Sequence, residues 1–125
     1  MKLNLVDRTF RIELDWQERL LAFYLSPTLE IDIAQIQDVS TQKPPQDWLA
    51  IRAPGTALPG VITAGTYYTR RGREFWYVTR NSNFLVLILT PDAYFKRVML
   101  TRDDHEVWAR AIAERQTTLG LPPES

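Results

Sequence analysis

The chain has 125 residues, 45% hydrophobic and 24% charged, which is the size and composition of one folded domain with one core rather than of a disordered segment. Its 15 Lys and Arg balance 15 Asp and Glu, so no overall field attracts nucleic acid or an anionic membrane, and no nucleic-acid partner is expected. The absence of cysteine excludes disulfide scaffolding and thiolate metal sites. The longest apolar run, Phe84 to Leu89, is far too short to span a bilayer. The opening residues MKLNLVDRTF lack the apolar run and small-residue cleavage site of a signal peptide, so a cytoplasmic setting is expected.

The first elements read as strands. Leu3 and Leu5 suggest one, turning at Asp7-Arg8. Phe10, Ile12 and Leu14 alternate with Thr9, Arg11 and Glu13, the pattern of a strand with one wet face. A short helix is expected near residues 15–24. Asp15 and Glu18 form a capping pattern, Trp16, Leu20 and Phe23 or Tyr24 share a face directed at the sheet, and Pro27 stops the helix. Leu29, Ile31 and Ile33 resume the alternation, with Glu30 and Asp32 on the wet side, and another strand fits Ile36 to Ser40. Pro44-Pro45 punctuates the stretch bearing Trp48.

Arg52 to Gly60 reads as a shaped crossover, with turns at Pro54-Gly55 and Pro59-Gly60. Four strand candidates follow, Val61 to Thr69, Glu74 to Thr79, Phe84 to Thr90 and Tyr94 to Leu100, joined by short turn-forming links. They predict an up-and-down meander. Phe84 to Thr90 is apolar on both faces and should be covered on both. A C-terminal helix is expected to start at a capping pattern of Asp103 and Glu106 and to bury Trp108, Ala111, Ile112 and Arg115 along one face. Residues 1–117 are read as the domain and 118–125 as a flexible tail.

The resulting fold class is mostly β: a bent antiparallel sheet or partly open barrel of about seven strands closed by one C-terminal helix. Three segments sharpen this expectation: Arg52 to Gly60 with Gly65-Thr66, Gly72 to Phe75, and Tyr94 to Glu106. Over nearly its whole length the chain resembles a family of small bacterial pleckstrin-homology-like (PH-like) proteins of unknown function. That resemblance implies a barrel whose open end is plugged by the last helix, with the Trp108 indole in the hole. It implies no activity, because fold is not function.

Candidate chemistry is sparse. Gly55 and Gly60 have the spacing of a phosphate-binding loop, but Val61-Ile62 stand where that loop needs Lys and Ser or Thr, and a strand is expected next. His105 is the one histidine, with no legible triad partner and no cysteine to share a metal, so neither catalytic residues, cofactor nor metal is expected. Arg70, Arg71 and Arg73 at a hairpin tip are the candidate anion contact. With four tryptophans in the chain, Trp48 and Trp76, joined by Tyr67 and Tyr68, are the candidate protein interface, since Trp and Tyr are enriched at interfaces. Two functions follow as expectations. The first is a non-enzymatic binding or scaffold module acting in protein association, including self-association. The second is a peripheral module binding anionic lipid headgroups through Arg70 to Arg73.

Overall fold

Alternation builds the first sheet. β1 (Lys2–Val6) and β2 (Thr9–Glu13) pair antiparallel across Asp7-Arg8, with Asp7 at φ 53°, a conformation Asp tolerates better than most residues. β3 (Thr28–Asp32) lies on the far side of β2 and completes the order β1-β2-β3. Leu3, Phe10, Ile12, Leu29 and Ile31 point into the core, while Glu30 and Asp32 face outward as expected. The computed structural model describes residues 1–22, 24, 26–43, 51–58 (backbone), 62–80 and 83–120.

Between β2 and β3 runs α1 (Trp16–Ala22). Its start is closed by the expected reciprocal bonds: the Glu18 N–H donates to Asp15 Oδ1 at 2.8 Å, and the Asp15 N–H to Glu18 Oε1 at 2.9 Å. Its facing differs from expectation. Trp16 is 62% exposed and Leu20 is also exposed, while Ala22 is buried. The Glu18 carboxylate pairs with the Met1 ammonium at 2.6 Å and is itself largely buried, so Glu18 rather than Trp16 lies on the inward side of the helix. Phe23 lies outside the described residues.

A turn of 3-10 helix, Ile33–Gln35, is capped by Asp32, whose carboxylate accepts the Ala34 N–H at 2.9 Å. It leads into β4 (Ile36–Ser40) of a second sheet. That sheet also contains β5 (Ile51–Leu58), β6 (Ile62–Thr69), β7 (Gly72–Thr79), β8 (Phe84–Leu89) and β9 (Arg97–Thr101), in the order β4-β8-β9-β7-β6-β5. Nine strands thus stand among the described residues where about seven are expected, and those residues form two sheets rather than a closed barrel.

Two expectations are corrected here. Arg52 to Leu58 is not a run of turns but edge strand β5, and Pro54 falls within a register shift between Arg52 and Gly55. An edge bulge is where a strand can hold a proline that has no N–H to donate. Gly55 lies opposite Gly65, whose φ of 147° favours glycine and which in turn sits opposite Trp76. Pro59, Gly60 and Val61 lie outside the described residues. The meander is also broken, because β9 inserts between β7 and β8 and runs parallel to β7. Burial explains the insertion. β8 is apolar on both faces, as the sequence indicates, and Arg97 to Leu100 of β9 are all buried, so both strands need interior positions.

One face of the six-stranded sheet packs on the first sheet through Phe75, Leu85, Leu87, Val98 and Leu100. The opposite face carries a second cluster of Tyr67, Trp76, Phe84, Val86 and Met99. α2 (His105–Thr118) spans both sheets at the main core. Arg115 Nη1 donates to the Asp7 carbonyl at 2.7 Å, and Gln116 Nε2 to the Ile36 carbonyl at 2.9 Å. Its buried face is the expected one, but its anchor is Ile112, fully buried, rather than Trp108. Trp108 is half-buried against Phe10, with ring centroids 5.9 Å apart, and plugs no barrel. The helix start also differs. Its N-cap is Asp104, which makes no side-chain cap bond and instead takes two bonds from Arg102 and one from the Trp108 indole N–H at 2.9 Å. The Arg102 guanidinium, aided by that indole, holds the Asp104 carboxyl below the usual carboxylate range. No helix among the described residues is long and apolar enough to cross a membrane.

Candidate functional site

The β6–β7 hairpin gathers most of the unusual side chains. Its strands pair from Ile62 opposite Thr79 to Thr69 opposite Gly72, leaving Arg70 and Arg71 as a two-residue turn. Gly72 has φ 116°, and a Cβ there would meet Lys96 Cγ at 3.0 Å. The Thr69 hydroxyl organises the turn by accepting the Arg71 N–H at 3.1 Å and donating to Glu74 Oε2 at 2.6 Å. Arg70 and Arg71 project into solvent.

Beneath the turn, Glu74 is completely buried. Its Oε1 accepts the Trp76 indole N–H at 2.8 Å and the Arg97 Nε–H at 2.7 Å. Arg71 Nη1 approaches its Oε2 at 3.8 Å. Hydrogen bonds from several donors and a buried guanidinium are what a carboxylate needs to leave water. Arg97, 3% exposed, sits directly opposite Glu74 in the parallel β7/β9 pair.

The other face of the same hairpin carries an aromatic clamp. Tyr68 and Arg73 are cross-strand partners. The Arg73 guanidinium lies 3.9 Å from the Tyr94 ring centroid and 6.0 Å from that of Tyr68, within cation–π range. Arg73 Nη1 donates to the Tyr94 carbonyl at 3.1 Å, and the Lys96 N–H to the Arg73 carbonyl at 2.7 Å. Tyr94 stands edge-on to Phe95, at 4.8 Å between centroids. Tyr94 is 65% exposed and Tyr68 42%. Two exposed phenols therefore flank an arginine whose own position is fixed.

The predicted interface residues separate. Tyr68 is exposed. Trp76 and Tyr67 are each only 4% exposed and stack on one another, 4.3 Å between centroids and 19° between planes. Alternation along β6 and β7 turns both to the second apolar cluster, so neither presents a surface to a partner. Trp48 lies outside the described residues. The three predicted arginines do converge on one tip, with Arg73 clamped rather than free. Sequence reasoning missed Tyr94, read as a strand residue but lying in the loop before β9, and it missed Glu74 and Arg97. The latter pair left a signal: one acid and one base, each set among buried apolar neighbours in REFWY and RVML.

Elsewhere, the His105 ring lies 3.8 Å from Glu106 and 3.3 Å from the Asp103 carbonyl. Burial, then the charges of Glu18 and Asp15, push the Tyr77 phenol up to about 12, so it stays neutral. Among the described residues no group of three or more acids and histidines is placed to hold a metal ion. The chain matches no protein-family model, no curated protein and no solved structure.

Proposed function

We propose that this chain is a non-enzymatic, cytoplasmic binding module of PH-like build that acts in protein association, including association with itself. Its contact surface is then the Tyr68–Arg73–Tyr94 clamp with Arg70 and Arg71 beside it, rather than the buried Trp76 and Tyr67. The two-sheet, mostly β build with a C-terminal helix on the core supports the PH-like reading, although the parallel β7/β9 pair departs from a simple meander. The observation that carries the function is the clamp itself. Exposed Tyr and Arg are favoured anchors at protein interfaces. Here the guanidinium is already tied to the Tyr94 carbonyl and covered by its ring, so little ordering is left for binding to supply.

A second reading, contact with anionic headgroups, is favoured by the same exposed aromatics around an arginine tip. Magnitude decides against it. Each basic residue near an anionic surface contributes roughly 1 kcal/mol, so three give about 3 kcal/mol. That corresponds to affinity of roughly millimolar or weaker.

Sedimentation velocity over a concentration series, with co-sedimentation on phosphatidylserine vesicles, tests both. Tyr94→Ala should weaken self-association by about 2 kcal/mol, the loss expected for a central aromatic anchor. A monomeric wild-type protein that binds the vesicles with micromolar, salt-sensitive affinity would overturn the protein reading in favour of the lipid one.

A further inference from the structure

Arg97 is nearly sealed within the sheet, yet among the described residues its guanidinium makes one hydrogen bond, from Nε to Glu74. Its two terminal amino groups donate no hydrogen bond within the described residues. A guanidinium presents its donors in a rigid planar fork, and Nε is occupied, so the unused edge is the one formed by Nη1 and Nη2. Arg71, half-exposed, flanks the same Glu74 carboxylate from the turn, 3.8 Å from Oε2. The local set is therefore two guanidiniums around one buried carboxylate, a net charge of one positive.

We infer that the Arg97 fork, with Arg71 beside it, is a seat for a single carboxylate. Charge selects a monoanion, because one negative charge neutralises the set while a dianion would leave an excess negative charge at a site that is almost wholly buried. Shape selects a planar group, because a carboxylate matches the guanidinium edge with two parallel N–H···O bonds. A dianionic phosphate, although it can also meet the fork with two oxygens, carries the excess charge that the set does not balance. The carboxylate can come from a peptide C-terminus or from a free small acid. Only the first of these rests on reading the hairpin as a protein-contact surface.

The Trp76 indole N–H reports on the site, because it donates to the same Glu74 Oε1 that holds Arg97. Its resonance in nitrogen–proton correlation spectra, assigned with Trp76→Phe, is followed during titration with sodium acetate, inorganic phosphate, sodium chloride at matched ionic strength, and a blocked trialanine as free acid and as amide. A saturable millimolar shift is expected with acetate and with the peptide acid, and none with chloride or the amide. Tighter binding of the peptide acid than of acetate assigns the seat to a protein C-terminus; the reverse assigns it to a small acid. Arg71→Gln, a change at a half-exposed side chain, should leave the protein folded and weaken acetate by about threefold or more, the scale of one partly exposed charge pair. Arg97→Lys keeps the charge, removes the fork and should abolish the response. Absence of a saturable shift in the wild type, an equal response to phosphate, or an unchanged response in both variants overturns the assignment. A monomer that binds acetate keeps this seat while sinking the self-association reading, so the two fail separately.

Discussion

The buried pair of Glu74 and Arg97 can be tested by removing its members one at a time and together. Glu74→Leu leaves the 3%-exposed Arg97 without its counter-charge and strips the acceptor from the Trp76 indole N–H and the Thr69 hydroxyl. An uncompensated buried charge costs about 3–5 kcal/mol, and each orphaned donor adds about 1–3 kcal/mol, so this variant belongs at or above the top of the first range. Arg97→Met is milder. The Glu74 carboxylate keeps Trp76, Thr69 and the nearby Arg71, which places the loss near 3 kcal/mol, the low end for breaking a buried pair. The double variant has no buried charge left and only the two orphaned donors, so it should be more stable than Glu74→Leu alone by about 2 kcal/mol. Urea denaturation of the four proteins gives the cycle, read from midpoints at constant slope. Additive single losses, or a Glu74→Leu loss under about 1 kcal/mol, would refute the pairing as described.

Three further outcomes follow from the fold. Ile112→Ala should cost about 2–5 kcal/mol in chemical denaturation, more than Trp108→Ala at about 2 kcal/mol, because Ile112 is fully buried while the indole is half-buried; the reverse order would restore Trp108 as the helix anchor. Gly72→Ala should lower stability by about 1–3 kcal/mol, since a side chain at φ 116° is strained and its Cβ meets Lys96, and thermal melts check this. The Asp104 carboxyl is depressed by Arg102 and then by Trp108, so its contribution is present above the unfolded value of about 4 and fades as pH falls through the lower folded value. Asp104→Asn should therefore lower stability at neutral pH and flatten the acid limb of a pH–stability curve, and an unchanged limb would argue against the Arg102 contact.

The sequence carried its local rules faithfully and its long-range ones poorly. The Asp7-Arg8 turn, the Asp15–Glu18 cap, the two-sided burial of β8 and the inward face of α2 all follow from periods and spacings within a dozen residues. The insertion of β9 between β7 and β8 does not, because pairing order is decided by which strands must be buried on both faces, and that sum involves the whole sheet. The Asp103–Glu106 pattern failed for a local reason of a different kind. Asp104 had a stronger claim from Arg102, two residues away, and from the indole one helical turn on. At the site, composition could count tryptophans but not face them. Trp76 and Tyr67 are large enough to serve either as core or as anchor, and only their alternation with exposed Tyr68 and Phe75 of the main core settles which side they take.

That alternation also gives the buried pair its place in the fold. Parallel pairing of β7 and β9 joins strands with no turn to set their register, so side chains must set it. In the observed register Glu74 meets Arg97, Phe75 meets Val98, and Trp76 meets Met99, so the acid and base meet on one face beside the second apolar cluster while the core face stays apolar. Sliding β9 by one residue would carry the Arg97 guanidinium to the opposite face, among Phe75, Leu85 and Leu87, where no carboxylate waits for it. The cost is that of burying an unpaired charge, several kcal/mol, comparable to a large part of a domain's whole stability. An apolar pair at these positions would pack equally well in either register and would discriminate between them only weakly. The acid and base thus select one pairing of two buried strands. The same selection holds the arginine turn, through Thr69 and Arg71, rigidly above them.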